Sequence, residues 1–256
     1  MFKSGLVSIS FRKNTVDEII SASCGAGLQL IEWGSDIHLP PEDMAPSRLA
    51  ERIKQKTESA GLSSVSYGSY YRIGINPTSD FLPLIRTAIT VGARIIRVWG
   101  YNTLVSPESE ELWNRLVTEA QAISDMAKEY GITVALECHN NTVTAHYKNA
   151  LAFLRAVDRE SFRTYWQPNQ LLDKGYNLDA ARALAPYTVA IHAFNWSGKD
   201  KYPLADAEDT WREYLDCFAE RASTSDIPVL LEFMPDGKLS TLAREAATLG
   251  EILSGY

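Results

Sequence analysis

The chain has 256 residues, of which 45% are hydrophobic, 22% charged and 10% aromatic, a globular balance that excludes a disordered, collagenous or coiled-coil protein. Its 25 Lys and Arg against 32 Asp and Glu give a formal charge of −7 and a pI near 5.2. No long basic block offsets that balance, so nucleic acid and anionic membrane surfaces are not expected partners.

Length alone allows one domain or two. The first apolar stretch, Gly5 to Ile9, is interrupted by serines and followed by Arg12 and Lys13, which is not the layout of a signal peptide. From there, short runs rich in Val, Ile and Tyr alternate with longer segments of helical period. The pattern predicts a strand over 5–10 and a helix over 15–26, announced by Asn14. A strand over 28–33 and a helix over 45–60, stopped by Gly61, come next. Two further units follow: a strand over 63–68 with a helix over 80–91, and a strand over 94–99 with a helix over 109–130, stopped by Gly131. Strands over 133–139, 163–167, 189–194 and 228–233 complete the set, each leading into a helix, over 148–157, 177–184, 209–222 and 239–253.

Strands that alternate with helices pair in parallel, because parallel neighbours need a crossover long enough to hold a helix. Eight units in about 250 residues predict one (β/α)8 TIM barrel spanning 1–256 as a single α/β domain. A doubly wound open sheet is the competing architecture, but the turn over 8–14 has no GxGxxG. Cys24, Cys138 and Cys217 are odd in number, widely spaced and without a CxxC pair, so they are expected to be reduced thiols in a cytoplasmic protein. No apolar run is long enough to span a bilayer.

Catalytic groups of a barrel sit at the C-terminal ends of its strands. Here those ends carry the unusual polar residues: Glu32 through His38, Glu137 with His139, Gln167, His192 and Glu232. Side chains alternate faces along a strand, which puts Ala135, Glu137 and His139 on one face, Ala190 with His192, and Leu230 with Glu232. Glu137, Gln167, His192 and Glu232 are therefore expected to converge. Two carboxylates, an imidazole and an amide oxygen suit a divalent cation such as Mn²⁺ or Mg²⁺, with Zn²⁺ and Co²⁺ as further options. Without a cation, two clustered carboxylates repel and one takes up a proton. A lone Glu ending a strand is commonly a solvated rim residue, but Glu232 lies within VLLEFM, which offers little solvation.

Other residues leave alternatives open. His139 fits a ligand, a substrate contact or a core histidine, and Asp36 and His38 fit either a turn cap or a substrate contact in a Pro40-Pro41 loop. Trp33, Trp99, Trp166 and Trp196 fall at strand ends, suited to an apolar wall or to packing against helices. Arg97 shares the face of Trp99 and needs an acid there, for which Glu32 is a candidate. His146 reads as surface, and Lys199 and Lys201 as loop charges.

The segments IEWGSDIHLPP (31–41), SYGSYYR (66–72), IRVWG (96–100), LECH (136–139), YWQP (165–168), HAFNW (192–196) and LEF (231–233) run through nearly the whole chain. In this combination and order the chain resembles the xylose-isomerase-like TIM barrels, a group of sugar and sugar-phosphate isomerases and epimerases. The resemblance implies a metal held by Glu137, Gln167, His192 and Glu232, with an amide, Gln167, where the family places an Asp. It implies Glu137 and Glu232 as the acid–base pair on opposite faces of a carbon next to a carbonyl. His38, Arg97, Trp99, His139, Trp166, Asn195 and Trp196 follow as substrate-binding residues.

Arg72 and Arg97 are the only obvious phosphate partners, which favours an unphosphorylated sugar or polyol as the small-molecule partner. A homo-oligomer is compatible with the sequence. Competing readings are a metal-dependent lyase or dehydratase on a cyclic polyol of the inosose type, and a non-catalytic sugar-binding barrel that has lost its metal through Gln167. An endonuclease of the apurinic-site type needs more histidines than the four present and a basic groove.

Overall fold

The computed structural model of the chain describes residues 1–41 and 48–256. Eight parallel strands close into a barrel: β1 (Phe2–Val7), β2 (Leu30–Gly34), β3 (Ser63–Arg72), β4 (Ile95–Trp99), β5 (Thr133–Glu137), β6 (Phe162–Trp166), β7 (Thr188–Ala193) and β8 (Ile227–Leu231). Each strand pairs with its neighbours in sequence, and β1 closes the ring by pairing with both β2 and β8. At the closure Gly5 stands between Leu30 and Leu230, where a Cβ would come within 2.6 Å of the Leu230 side chain and the Leu30 carbonyl. Only glycine leaves that much room on the inner face.

Two apolar layers follow from strand alternation. Inside the barrel Val7, Ala135, Tyr165, Ala190 and Leu230 pack together, while Leu6, Ile31, Ile96, Val134, Leu136, Ile191 and Val229 face outward into the core shared with the helices. Above the inner layer, toward the C-terminal ends of the strands, the interior becomes polar. Register shifts fall in this upper half, at Ile31/Glu32 of β2, between Gly68 and Arg72 of β3, and at Thr164/Tyr165 of β6. Such irregularities re-aim side chains where a site is built.

Helices cover the outside: α1 (Val16–Gly25), α2 (Arg48–Ser59), α3 (Phe81–Val91), α4 (Glu110–Lys128), α5 (Tyr147–Val157), α6 (Lys174–Leu184), α7 (Glu208–Asp216), α8 (Ala219–Thr224) and α9 (Leu242–Leu253). Helix α1 opens with a capping box, Thr15 accepting from the Glu18 amide and Glu18 accepting from the Thr15 amide. Among the described residues, no helix is long and apolar enough to cross a membrane. The three cysteines are free.

Several elements differ from the sequence reading. The first strand ends at Val7, not residue 10, because the hydroxyls of Ser8 and Ser10 accept the Gly34 and Phe233 amides and the chain turns into a 3-10 segment, Ser8–Phe11. The helix expected over 209–222 breaks at Cys217 and Phe218, where Phe218 drops fully buried against Trp166. Helix α6 starts three residues early because Asp173 caps it, accepting from the Tyr176 amide at 2.8 Å. The expected start of α2, at residues 45–47, lies outside the described residues.

Candidate functional site

At the C-terminal end of the barrel a cavity of about 220 Å³ is floored by Arg97, Glu137, Gln167 and Glu232. Glu137, His192 and Glu232 are all buried, and each offers a ligand atom within 4.8 Å of the others. His192 Nδ1 lies 3.6 Å from Glu232 Oε2, 3.8 Å from Glu137 Oε1 and 2.8 Å from Gln167 Oε1. The four strand-end residues singled out in the sequence therefore meet at one point. Burial works against a charge on His192, but Glu232, Glu32 and Glu137 outweigh it and raise its pKa. Glu232 is raised by burial, with Glu137 adding to the effect against the pull of His192 and Arg97.

Below this cluster lies a polar layer. Arg97 spans two carboxylates: its Nε donates to Glu32 Oε1 at 2.8 Å, and its Nη1 donates to Glu137 Oε2. Glu32 is fully buried and also accepts from Ser66 Oγ at 2.8 Å and Tyr165 Oη at 2.7 Å. Burial alone would raise the Glu32 pKa, yet Arg97, His192 and Tyr165 hold it far below the usual carboxylate range. Arg97 balances one of the three buried carboxylates, leaving two negative charges beside His192. Glycine is required over the pair: a Cβ on Gly68 would stand 2.7 Å from Glu32 Oε1 and 2.8 Å from Arg97 Nη2. Gly68→Ala is expected to lose about 1–3 kcal/mol by overpacking, read as a lower midpoint of urea unfolding. An unchanged midpoint would mean the layer can yield.

The walls are aromatic. Trp99 packs on His139 with ring centroids 4.3 Å apart, with Tyr70 stacked beyond it and the Arg72 guanidinium 4.3 Å above its ring. Across the cavity Phe194, Trp196 and Phe233 form a second bank, capped by Lys201 Nζ at 4.8 Å from Trp196 and 4.6 Å from Phe233. Asn140 and Asn169 exchange amide hydrogen bonds on the rim.

Several residues expected to bind substrate stand elsewhere. His38 is buried outside the cavity lining, its ring nitrogens 3.1 Å from Ser8 Oγ and 3.2 Å from the Asn14 carbonyl. Asn195 donates to the Pro203 carbonyl and does not line the cavity either. Trp166 reaches the cavity only from the helical side, packed on Trp211, Tyr214 and Phe218. Trp33 is buried, with its Nε1 donating to Ser64. His146 is exposed. Conversely, Arg12 and Tyr70 line the cavity, joined to each other at 2.6 Å, with Arg12 also paired to Asp36. Neither was singled out in the sequence as a site residue, although Tyr70 lies in the SYGSYYR segment.

The closed parallel barrel thus carries a carboxylate–imidazole cluster at its C-terminal mouth, where barrels of this kind place their sites. The sequence profile of the xylose isomerase-like TIM barrels matches residues 22–201, and the chain belongs to that family. No curated protein sequence matches it. Among solved structures, the probable 3-DHS dehydratase AsbF of Bacillus anthracis superposes with a TM-score of 0.78 at 19% identity, covering 98% of this chain and 99% of the other. The IolI protein, solved with a bound zinc atom, gives 0.77 at 15% identity over 99% of both chains. The D-psicose 3-epimerase of Clostridium cellulolyticum H10, solved with D-tagatose, gives 0.72 at 14% identity over 98% of both.

Proposed function

We propose that this chain is a divalent-cation-dependent isomerase or epimerase that moves a proton next to a carbonyl of an unphosphorylated sugar or polyol. The observation that carries the reading is the convergence of Glu137, His192 and Glu232 ligand atoms within 4.8 Å, with Glu137 and Glu232 lining the cavity. The donor set fits a cation: two carboxylates without a counter-charge beyond Arg97, an imidazole nitrogen turned toward both, and the Gln167 amide oxygen 2.8 Å from that nitrogen. Glu137, Gln167, His192 and Glu232 would hold it. When bound, such a cation polarises a substrate carbonyl and so acidifies the neighbouring C–H.

The chain's own residues supply the rest. Glu232 accepts no hydrogen bond among the described residues, so its carboxylate is the one best placed to take a proton. Glu137 serves on the opposite side with only Oε1 uncommitted, since Arg97 holds Oε2. Trp99 and Trp196 offer apolar faces to a sugar ring, and His139 and the Asn140–Asn169 pair offer polar groups for hydroxyls. Arg12 and Arg97 are the basic residues of the lining, and each already faces a carboxylate, which disfavours a phosphate. The same asymmetry between Glu137 and Glu232 supports a second reading, a one-base dehydratase or lyase on a cyclic polyol.

The test is titration with Mn²⁺ by calorimetry, followed by incubation with a panel of ketoses and cyclic polyols in D2O. Epimerisation or isomerisation incorporates deuterium into a product of unchanged mass class, whereas a lyase loses water. A wild type that binds no divalent cation would overturn both readings in favour of a non-catalytic sugar-binding barrel. Gln167→Glu, which adds a negative charge at unchanged length, and Gln167→Asp, the family's acid, are the companion variants. At least one is expected to bind Mn²⁺ more tightly, because charges in a buried site are weakly screened. Unchanged affinity in both would remove Gln167 from the ligand set.

A further inference from the structure

The fully buried Glu32 belongs neither to the cation cluster nor to the cavity lining, yet residues from four other strands meet at it. It stands on β2, accepts from Ser66 on β3, Arg97 on β4 and Tyr165 on β6, and its Oε1 lies 3.8 Å from His192 Nε2 on β7. That Nε2 is buried and has no hydrogen-bond partner, and Glu32 Oε1 is the carboxylate oxygen facing it. An imidazole that serves a cation through one nitrogen keeps its proton on the other, and a carboxylate there fixes both tautomer and ring orientation. Glu32 also reaches the second ligand, because the guanidinium it holds through Nε is the one that ties down Glu137 Oε2.

We propose that Glu32 is a positioning residue for the cation site: it fixes His192 with Nε2–H toward itself and Nδ1 toward Glu137 and Glu232, and it holds Arg97 against Glu137. The proposal rests on the cation reading above. Glu32 touches no substrate and no cation. Its three hydrogen bonds remove its freedom to rotate, so the two residues it faces are registered against the barrel wall. The hydroxyls of Ser66 and Tyr165 act through Glu32, saturating Oε2 and leaving Oε1 for Arg97 and His192, while the Tyr165 ring packs on His192 with centroids 4.8 Å apart.

The experiment compares wild type, Glu32→Gln and Tyr165→Phe, each checked for fold by circular dichroism. Mn²⁺ affinity is measured by calorimetry, and the His192 tautomer by long-range proton–nitrogen spectra of the Zn²⁺-loaded protein, in which only four histidines need assignment. Glu32→Gln keeps the shape but not the charge, and is expected to weaken Mn²⁺ binding about 10- to 100-fold and to lose the single Nε2–H signature. Tyr165→Phe removes one of the bonds that hold Glu32 and is expected to weaken binding by a smaller factor. If Glu32→Gln does not fold, Tyr165→Phe decides alone. Wild-type affinity and tautomer in a folded Glu32→Gln, or in Tyr165→Phe where that variant decides, overturn the proposal and leave the cation site standing. A wild type that binds no Mn²⁺ overturns the cation reading itself, and with it the premise of this one.

Discussion

Glu232→Gln and Glu137→Gln are each expected to reduce cation-dependent deuterium exchange at the substrate carbon by about 10²–10⁴-fold, the usual contribution of a positioned acid or base. Exchange is followed by proton NMR after chelation of the metal, with whichever ketose or polyol the wild type processes. An amide matches the carboxylate in size and still offers an oxygen, so the fold should survive, but it cannot accept and return the proton. The two variants are not expected to fail alike. The Glu232 carboxylate makes no hydrogen bond among the described residues, whereas Glu137 is tied through Oε2 to Arg97. Glu137→Gln also strips Arg97 of a counter-charge, so it should lose thermal stability as well as exchange. Wild-type exchange in either variant would remove that residue from the proton-transfer pair.

Arg97→Met is expected to be the most destabilising single change in the site. It leaves Glu32, fully buried, and Glu137, nearly so, without their shared cation. Breaking a buried ion pair from one side costs about 3–5 kcal/mol, because the remaining charge is left uncompensated. For a chain of this size that corresponds to a fall in Tm of the order of 10 °C, measured by circular dichroism in a chelator. Arg97→Met combined with Glu32→Met should cost less than the sum of the single changes, since the double variant buries no orphaned carboxylate at Glu32. A Tm for Arg97→Met equal to that of the wild type would show that water or a cation reaches the layer.

Strand period made much of this legible in the sequence. On β5, β7 and β8 the pairs Ala135 and Glu137, Ala190 and His192, and Leu230 and Glu232 share the inner face, as alternation requires. The same rule, applied to β6, turns Tyr165 and Gln167 inward and Trp166 outward, so parity itself speaks against Trp166 as a wall residue. Of the long-range pairs, the sequence pointed to Glu32 as the acid for Arg97, 65 residues away, and the two do meet. Nothing local announces that Tyr165 donates to the same Glu32, 133 residues earlier, or that Arg97 also reaches Glu137, 40 residues after it. Arg12 and Tyr70 were hidden for a different reason. Strand β1 stops early in a serine-held turn, and β3 runs on to Arg72, past the expected end at residue 68. His38 and Asn195 were visible as polar loop residues, but hydrogen bonds to neighbouring backbone carbonyls and a serine hydroxyl absorb them, which no sequence pattern distinguishes from a substrate contact.

The polar layer and the aromatic bank of Phe194, Trp196 and Phe233 differ in what holds them. Glu32, Ser66, Arg97, Glu137, Tyr165 and His192 are strand residues bonded across the ring, so exchanging one disturbs its neighbours on other strands. His139, Trp196, Phe233 and Arg12 sit beyond the ends of their strands, on segments whose lengths can change without altering strand register. The bank of Phe194, Trp196 and Phe233 is thus replaceable apart from the polar layer, whereas Trp99 and Tyr70 are held on strands β4 and β3. Grafting a different segment over 194–203 should redirect which molecule is accepted while cation affinity stays where it was.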